Sequence, residues 1–562
     1  MSFYDDASLI MIPSGVKAGT VYSQKPMDST GQFTFTRASE ATRLVDGVVT
    51  KVRTNSILQS NDLDTTWAVT NATVTGGQAD KDGGTDAWLL SKTASGGFIY
   101  QNTSSYSGVY TVSVYAKANA DNYIKVNGNA VVDGEAFFNL SNGTLQSSIN
   151  CIATSIEAVG DGWYRCSITS SDTNLSYVNI YPASGTGIGP STGSIYIQSA
   201  QLEAGTVATP YIATTTVAVS EGPVANMPRL NSVAGGCPSL LLEPQRTQLV
   251  LRYDKGNYGN DPASEILTES PEGYNNAFRP VPDAPADRYQ QDISGGTYAT
   301  DSKLTYSWYR KRISTPVDAS FIGDLDVKGL ANVTQVGVTE EIESGINGFD
   351  RFAAVFNITD GAVTSTIRLY FGGVIGAGNS SVAYFGHQLE EGSYSTSIIP
   401  SYGTAATRVA DACYKTGITS LIGQTEGVVF LDVGTIHNNS ETGPTKWFFE
   451  VIKDASNSFG IGSGGADAAP AIRFVTNIVG VVTTESEPAG FSNSKIAIKY
   501  NASEFKLFQN GSLKATIAKN IGGYVDIQFM EGAGSALSMP LKQFLVFPTA
   551  LTDAECITLT TL

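Results

Sequence analysis

Apolar and polar residues alternate in short runs along almost the whole chain, and each run stops at a cluster of Gly, Asn, Ser or Pro. Tyr110 to Lys117 sets Val112, Val114 and Ala116 against Thr111, Ser113 and Tyr115, a period of two that predicts a strand with one buried face. Phe33 and Phe35 alternate in the same way, and Asp46-Gly47 then turns the chain into Val48-Val49. Further strands are predicted at Phe137 to Leu140, Trp163 to Thr169, Tyr177 to Tyr181 and Ile195 to Ser199. Near the C-terminus, Lys495 to Tyr500 alternates strictly, Phe505 to Ser512 forms a hairpin through Asn510-Gly511, and Thr552 caps a short helix with Glu555 three residues on.

The pattern occurs twice. Gly162-Trp163-Tyr164-Arg165 followed by Gln201-Leu202-Glu203-Ala204-Gly205 matches Gly348-Phe349-Asp350-Arg351 followed by Gln388-Leu389-Glu390-Glu391-Gly392. Upstream, Thr111 to Lys117 aligns with Thr305 to Lys311, and Arg53-Thr54-Asn55 with Arg246-Thr247-Gln248. Self-similarity on this scale predicts a duplicated domain. The predicted fold class is all-β: tandem β-sandwich domains of the jelly-roll kind. The expected division is an arm over 1–30, a first module over 31–215, a connector over 216–248, a second module over 249–403, and a last sandwich over 404–562. The stretch from Pro271 to Asp287, rich in Pro, Asp and Asn, is predicted to be a long loop.

Composition narrows the function. The formal net charge of -17 repels phosphate, which excludes a nucleic-acid partner. No run of about 20 apolar residues exists, so no membrane insertion is expected. The first residues lack the basic stretch of a signal peptide, so synthesis in a cytoplasm is expected. The five Cys are scattered without CxxC spacing, so single buried thiols are predicted rather than disulfides or zinc. With two His, His387 and His437, imidazole catalysis is not expected.

Five groups of residues are candidates for a role. Trp163, Tyr164, Trp308 and Tyr309 are aromatic platforms of the kind that stack on sugars, but the strand pattern around them favours packing. Arg165 with Glu203, and Arg351 with Glu390, are expected to form structural ion pairs that tie strands together. Asp82, Asp86, Asp161, Asp283 and Asp350 are the acidic residues from which a glycosidase pair would have to come, and sequence places no two of them across a cleft. Asp82-Gly83-Gly84-Thr85-Asp86 offers oxygen ligands on a turn, a weak signal for structural calcium; no catalytic, metal or cofactor site is assigned. The apolar run Leu9, Ile10, Met11 and Ile12, stopped by Pro13, cannot form a core alone, and is expected to lie on the next domain, on a sister subunit or on a larger assembly, with a virion anchor as the assigned role.

With these residues in view, the repeated unit resembles the jelly-roll carbohydrate-binding modules of glycanases and phage fibres, on the Gly-Trp-Tyr-Arg strand and the closing Gln-Leu-Glu-x-Gly segment. The last domain is similar to concanavalin A-like (laminin G-like) lectin sandwiches, on the Phe508 to Gly511 hairpin and the ending Phe547-Pro548 to Glu555. The whole arrangement resembles phage tail fibre or head fibre proteins, on Phe35 to Arg43 and on Leu240-Leu241-Leu242-Glu243-Pro244-Gln245-Arg246-Thr247. Gln248 stands where that family usually has Asn. The resemblance implies a structural virion protein at the particle surface, anchored by its arm. Its implied partners are other virion proteins, itself as a homo-oligomer (a trimer), and host-surface polysaccharide. The rival readings are a purely structural head or tail decoration and, third, a polysaccharide-degrading enzyme; a non-enzyme is expected.

Overall fold

In a computed structural model of the chain, the described residues are 2–129, 134–233, 235–254, 264–281, 289–293, 298–313, 325–327, 333–358, 367–371, 382–438, 443–465, 472–478, 480–486, 491–519, 521–530 and 537–561. The chain is all-β, as the alternation predicts: strands dominate, and the only helices among these residues are Phe3–Asp6 and Asp553–Thr560. Thr552 caps the second in a reciprocal capping box with Glu555. The stretch Pro271 to Asp287 is not one long loop: Ala277–Val281 forms a strand paired with Ser264–Thr268, while Asp283 and the end of the stretch lie outside the described residues.

Module 1 is a two-layer sandwich whose layers share two long strands, Phe98–Ala118 and Trp163–Ala183. The halves that carry Val109 to Lys117 and Trp163 to Thr169 belong to the back layer, with Ser194–Ala204, Ala87–Lys92 and Ala153–Gly160. The other halves, Phe98 to Asn102 and Tyr177 to Ala183, belong to the front layer, with Ala68–Thr70, Tyr123–Asn127 and Glu135–Asn139. The change of layer coincides with ladder irregularities around Tyr106 and Gly108. Gly108 has φ 112, which a Cβ would resist, and such bulges bend a strand. The core between the layers holds Ile99, Val112, Val114, Ile124, Val126, Phe138, Cys166, Ile168, Val178 and Ile180.

Module 2 repeats the back layer: Val382–Glu391, Lys303–Arg312, Phe349–Ile358 and Val333–Ile346 pair in the same order. A separate three-stranded sheet contains Tyr289–Ile293, Ile367–Phe371 and Leu325–Val327.

The C-terminal sandwich is assembled from distant parts of the chain. One nine-stranded sheet is centred on Leu537–Phe547, which pairs with Gly427–Val433 on one side. Its other edge takes both Leu9–Met11 and Ser239–Leu242. The facing sheet includes Val16–Lys17, Thr20–Val21, Phe33–Thr36 and Ala412–Thr416. Residues 1–30 are therefore not a free anchoring arm, and the 216–248 segment is not merely a connector. Both supply strands to the last domain. The physical reason lies in the run Leu9-Ile10-Met11. Leu9 and Met11 enter the core between the sheets, while Ile10 enters the second core under the C-terminal helix, with Leu545, Phe547 and Cys556. A strand buried on both faces shows no alternation. Ile12 is half-buried beside that second core.

The joints converge on one buried ionic cluster. Arg37 and Arg229 both pair with Asp411, and Arg229 and Arg408 both pair with Glu243. Ser397 of module 2 donates its backbone N–H (2.7 Å) and its hydroxyl (2.6 Å) to Glu243. Burial pushes the Glu243 carboxyl up, but Arg408 and Arg229 more than reverse this and hold it well below the usual carboxylate range. Module 1 joins through Tyr402, whose carbonyl accepts from Val109 N (3.1 Å).

All five Cys are free thiols; Cys166, Cys413 and Cys556 are buried as expected, whereas Cys237 is exposed on the turn before Ser239.

Candidate functional site

The duplicated motif builds a structural clasp. In module 1, Glu203 accepts from Gln201 Nε2 (2.7 Å), Thr209 N (2.9 Å) and Thr209 Oγ1 (2.5 Å). Gln201 Oε1 takes Ile212 N (2.8 Å), and Arg165 Nη2 donates to Thr209 O (2.5 Å) and Ser113 Oγ (3.0 Å). Module 2 repeats each bond. Glu390 accepts from Gln388 and Thr396, Gln388 Oε1 takes Ile399 N, and Arg351 donates to Thr396 O (2.8 Å) and Ser307 Oγ (3.0 Å).

The expected pairs Arg165 with Glu203 and Arg351 with Glu390 are thus corrected. In each module the two side chains do not bridge directly; they grip the same threonine, Thr209 or Thr396, from opposite sides. The loop after Gln-Leu-Glu-x-Gly folds back over the sheet, and its backbone supplies the partners. Arg351 has its carboxylate contact with Glu343 instead (3.7 Å). Asn55 and Gln248 also match. The Asn55 side chain bonds Ala200 O, Ile212 O, Ile57 N and Leu202 N, and that of Gln248 bonds His387 O, Val250 N and Leu389 N.

The aromatic candidates of these strands are packed. Trp163, Trp308 and Tyr309 are buried, and Tyr309 Oη donates to Glu343 (2.5 Å). Tyr164 is half-buried against the module 1 core. The Asp82 to Asp86 turn is held by Asp80, whose carboxylate accepts from the N–H groups of Asp82, Gly84 and Asp86 and lies below its ordinary pKa through those bonds. Among the described residues no cluster of metal-ligating side chains occurs.

The candidate surface is the face of the module 1 front layer turned away from the core. Strand register sets it out as a grid. Tyr181 stands opposite Lys125, which stands opposite Phe137; Tyr100, Asn179, Asn127 and Glu135 form the next row; Asn102 faces Tyr177 in the third. Their neighbours Ile99, Ile124, Val126, Phe138, Val178 and Ile180 point into the core, so period two puts every grid residue on the other side of the sheet, where Phe137, Lys125, Asn127, Glu135 and Asn179 are themselves buried. Four rings run in sequence across it. Phe98 stacks on Tyr181 with centroids 4.5 Å apart, Phe98 and Tyr100 are 5.5 Å apart, and Tyr100 meets Tyr177 edge-on at 5.9 Å. Tyr177 is 42% exposed. Phe98, Tyr100 and Tyr181 are half-buried, and Asn102 is exposed.

Beneath the rings lies a charged floor. Lys125 Nζ pairs with Glu135 Oε2 at 2.7 Å and sits 5.2 Å from the Tyr181 ring and 5.4 Å from that of Phe137. Burial raises the Tyr181 hydroxyl pKa, with Glu135 adding to the shift. Asn179 and Asn127 both donate to Gly128 O, and Asn127 Oδ1 has no hydrogen-bond partner among the described residues. Sequence reasoning marked Phe137 and Tyr177 to Tyr181 as strands only. Which rings share a face depends on a register that sequence does not give.

No protein-family model matches the chain, and no curated protein matches it. Among solved structures, one similar to part of the chain is a carbohydrate-binding module of a Ruminococcus gnavus sialidase bound to sialyllactose. It is 18% identical over 25% of this chain and 84% of that one, with a TM-score of 0.19. A leech intramolecular trans-sialidase is 23% identical over 25% of this chain and 24% of its own, with a TM-score of 0.20. An arabinofuranosyltransferase from Mycobacteria is 12% identical over 87% and 36%, with a TM-score of 0.16. Likenesses at these scores assign neither ligand nor activity to this chain.

Proposed function

We propose that this protein is a non-enzymatic glycan-binding structural protein that contacts polysaccharide through the outer face of module 1. The observation that carries the reading is the row of four rings, Phe98, Tyr181, Tyr100 and Tyr177, flanked by Asn102 and backed by the Lys125–Glu135 pair. Ring faces stack on the C–H faces of sugars, and amides beside them fix hydroxyl groups. The sequence resemblance to virion fibre proteins supports display of this face on a particle, with the last sandwich, into which the N-terminal strands are built, as the attached end.

The rival is a spacer that buries the same rings against another subunit. A glycan array probed with the labelled full chain, with its oligomeric state measured in parallel, separates the two. Saturable binding to a subset of glycans supports the proposal. A stable oligomer that loses its contacts when Tyr177 is changed, with no glycan bound, supports the spacer. The enzyme alternative predicts release of reducing sugar from any polysaccharide that binds. A cavity of about 640 Å³ beside the joint is lined by Glu340, Glu341, Glu343 and His437 among others, and is one place to look for such a reaction.

A further inference from the structure

The front layer of module 1 is almost empty of charge. Its strands Ala68–Thr70, Tyr123–Asn127, Glu135–Asn139 and Thr144–Ile149, with Phe98 to Asn102 and Tyr177 to Ala183, hold two charged residues in all, Lys125 and Glu135. The two lie diagonally on neighbouring strands, and Lys125 Nζ meets Glu135 Oε2 at 2.7 Å. Lys125 is 9% exposed and Glu135 6%. The rings of Tyr181 and Phe137 flank the ammonium at 5.2 and 5.4 Å.

This pair is closed to an acidic ligand. A carboxylate arriving on the face would have to take Lys125 from Glu135 and leave that buried carboxylate uncompensated, a loss that one new contact does not offset. The next charged residue before Tyr177 on its strand, Asp172, is acidic too and accepts from Asn129 (2.9 Å). The net charge of -17 repels a polyanion further. What the face offers freely is uncharged. Asn102, opposite Tyr177, is exposed, and all four rings belong to the two paired long strands and run along them. Phe98 and Asn102 are four positions apart, which at a strand's rise of about 3.4 Å per residue is about 13 Å. That length exceeds one sugar ring. The row lies on a sheet face with Tyr177 42% exposed at its end, so it suits consecutive sugars of a chain and not one enclosed terminal sugar.

We propose that this face takes an uncharged polysaccharide, several consecutive sugars of its interior at a time, and rejects acidic polymers such as polyuronates. The inference rests on the reading of module 1 as a glycan-binding face and narrows that reading to one chemical class. Sugar C–H faces stack on the rings, hydroxyl groups bond to amides such as that of Asn102, and no ligand charge has to be desolvated or matched.

The test is binding of the labelled full chain to immobilised neutral polymers (mixed-linkage β-glucan, xylan, galactomannan, dextran) and acidic ones (polygalacturonate, alginate, hyaluronan), at low and high salt. Circular dichroism confirms that each variant is folded. A neutral polymer is expected to bind with the same affinity at both salt concentrations, and about 10-fold more weakly to Tyr177→Ala. Its own tetrasaccharide is expected to compete about 10-fold better than its monosaccharide. Glu135→Gln frees Lys125 and is expected to gain salt-sensitive binding of an acidic polymer. If that variant does not fold, the salt series on the wild type carries the test. An acidic polymer bound more tightly than every neutral one, and lost in Tyr177→Ala, overturns this inference while leaving the proposed function standing. Equal competition by monosaccharide and tetrasaccharide overturns the assignment to chain interiors. A folded chain that binds no polymer overturns the inference and the proposed function together.

Discussion

Leu9 stands opposite Val546 in an antiparallel ladder, and next to it Ser8 Oγ donates to Val546 O at 3.1 Å across 538 positions of sequence. The two ends of the chain are thus woven into one sheet, with Leu9 1% and Met11 0% exposed. Met11→Ala is expected to cost about 2–5 kcal/mol, as large-to-small changes in a packed core do. Deletion of residues 1–30 is expected to unfold the C-terminal sandwich, not merely to release the protein from a particle. Urea melts followed by a probe in that domain check both, and an unchanged midpoint would contradict the placement.

Asp411 holds the joint together. It pairs with Arg37 and Arg229 and accepts Glu243 N at 2.8 Å, all out of contact with solvent. Asp411→Asn removes the charge and leaves buried arginines undercompensated, which costs about 3–5 kcal/mol when one partner of such a cluster is lost. Limited proteolysis is expected to cut first in the connector strands around Arg229 and Arg408. A variant as resistant as the wild type would show that the cluster does not fix the joint.

Acid should destabilise module 2 before the carboxylates titrate. His387 is enclosed, 2.6 Å from the Tyr306 hydroxyl and near the rings of Phe278 and Tyr384, and burial drives its pKa down to about 3. Above about pH 6.5 the folded and unfolded forms are both neutral there and nothing is lost. Below it the unfolded chain takes up a proton that the native state refuses. Stability then falls by up to about 1.4 kcal/mol per pH unit until the native pKa is reached. Burial lowers His437 as well. Since the chain has only these two histidines, His387→Gln with His437→Gln is expected to flatten the urea midpoint between pH 6.5 and 5. A slope unchanged in that double variant would contradict the assignment.

The clasps predict matched losses. Glu203→Gln and Glu390→Gln each replace an acceptor of three bonds by a side chain that must present a donor to one of them, at about 1–3 kcal/mol. Separate melts of the two variants test whether the duplicated motif does the same work in both modules; a loss in only one would break that equivalence.

The fold class and the repeat were legible because both rest on local signals: the period of two, the Gly-bounded turns at Asp46-Gly47 and Asn510-Gly511, and the recurring Arg and Gln-Leu-Glu-x-Gly phrases. The run Leu9-Ile10-Met11 is visible in the sequence as an unpatterned apolar stretch, but its meaning, burial on two faces, depends on a strand at the far end of the chain. The clasps were half legible. The spacing of Arg165 and Glu203 points to a direct ion pair, whereas their common partner Thr209 lies on a return loop that no spacing predicts. The ring row was hidden because Phe98 and Tyr100 lie far in sequence from Tyr177 and Tyr181. The sequence Tyr177-Val178-Asn179-Ile180-Tyr181 did carry a usable signal, two tyrosines opposite a buried aliphatic face.

The central claim is that those tyrosines contact glycan, and the most direct measurement is the affinity of a polysaccharide for the full chain carrying Tyr100→Ala or Tyr177→Ala. Each ring lies on the outer face, so the melting temperature is expected to change little. Affinity is expected to fall about 10-fold for each, the scale of a lost stacking contact worth about 1.4 kcal/mol. Undiminished affinity in both folded variants would contradict the account and remove the module 1 face as the binding surface.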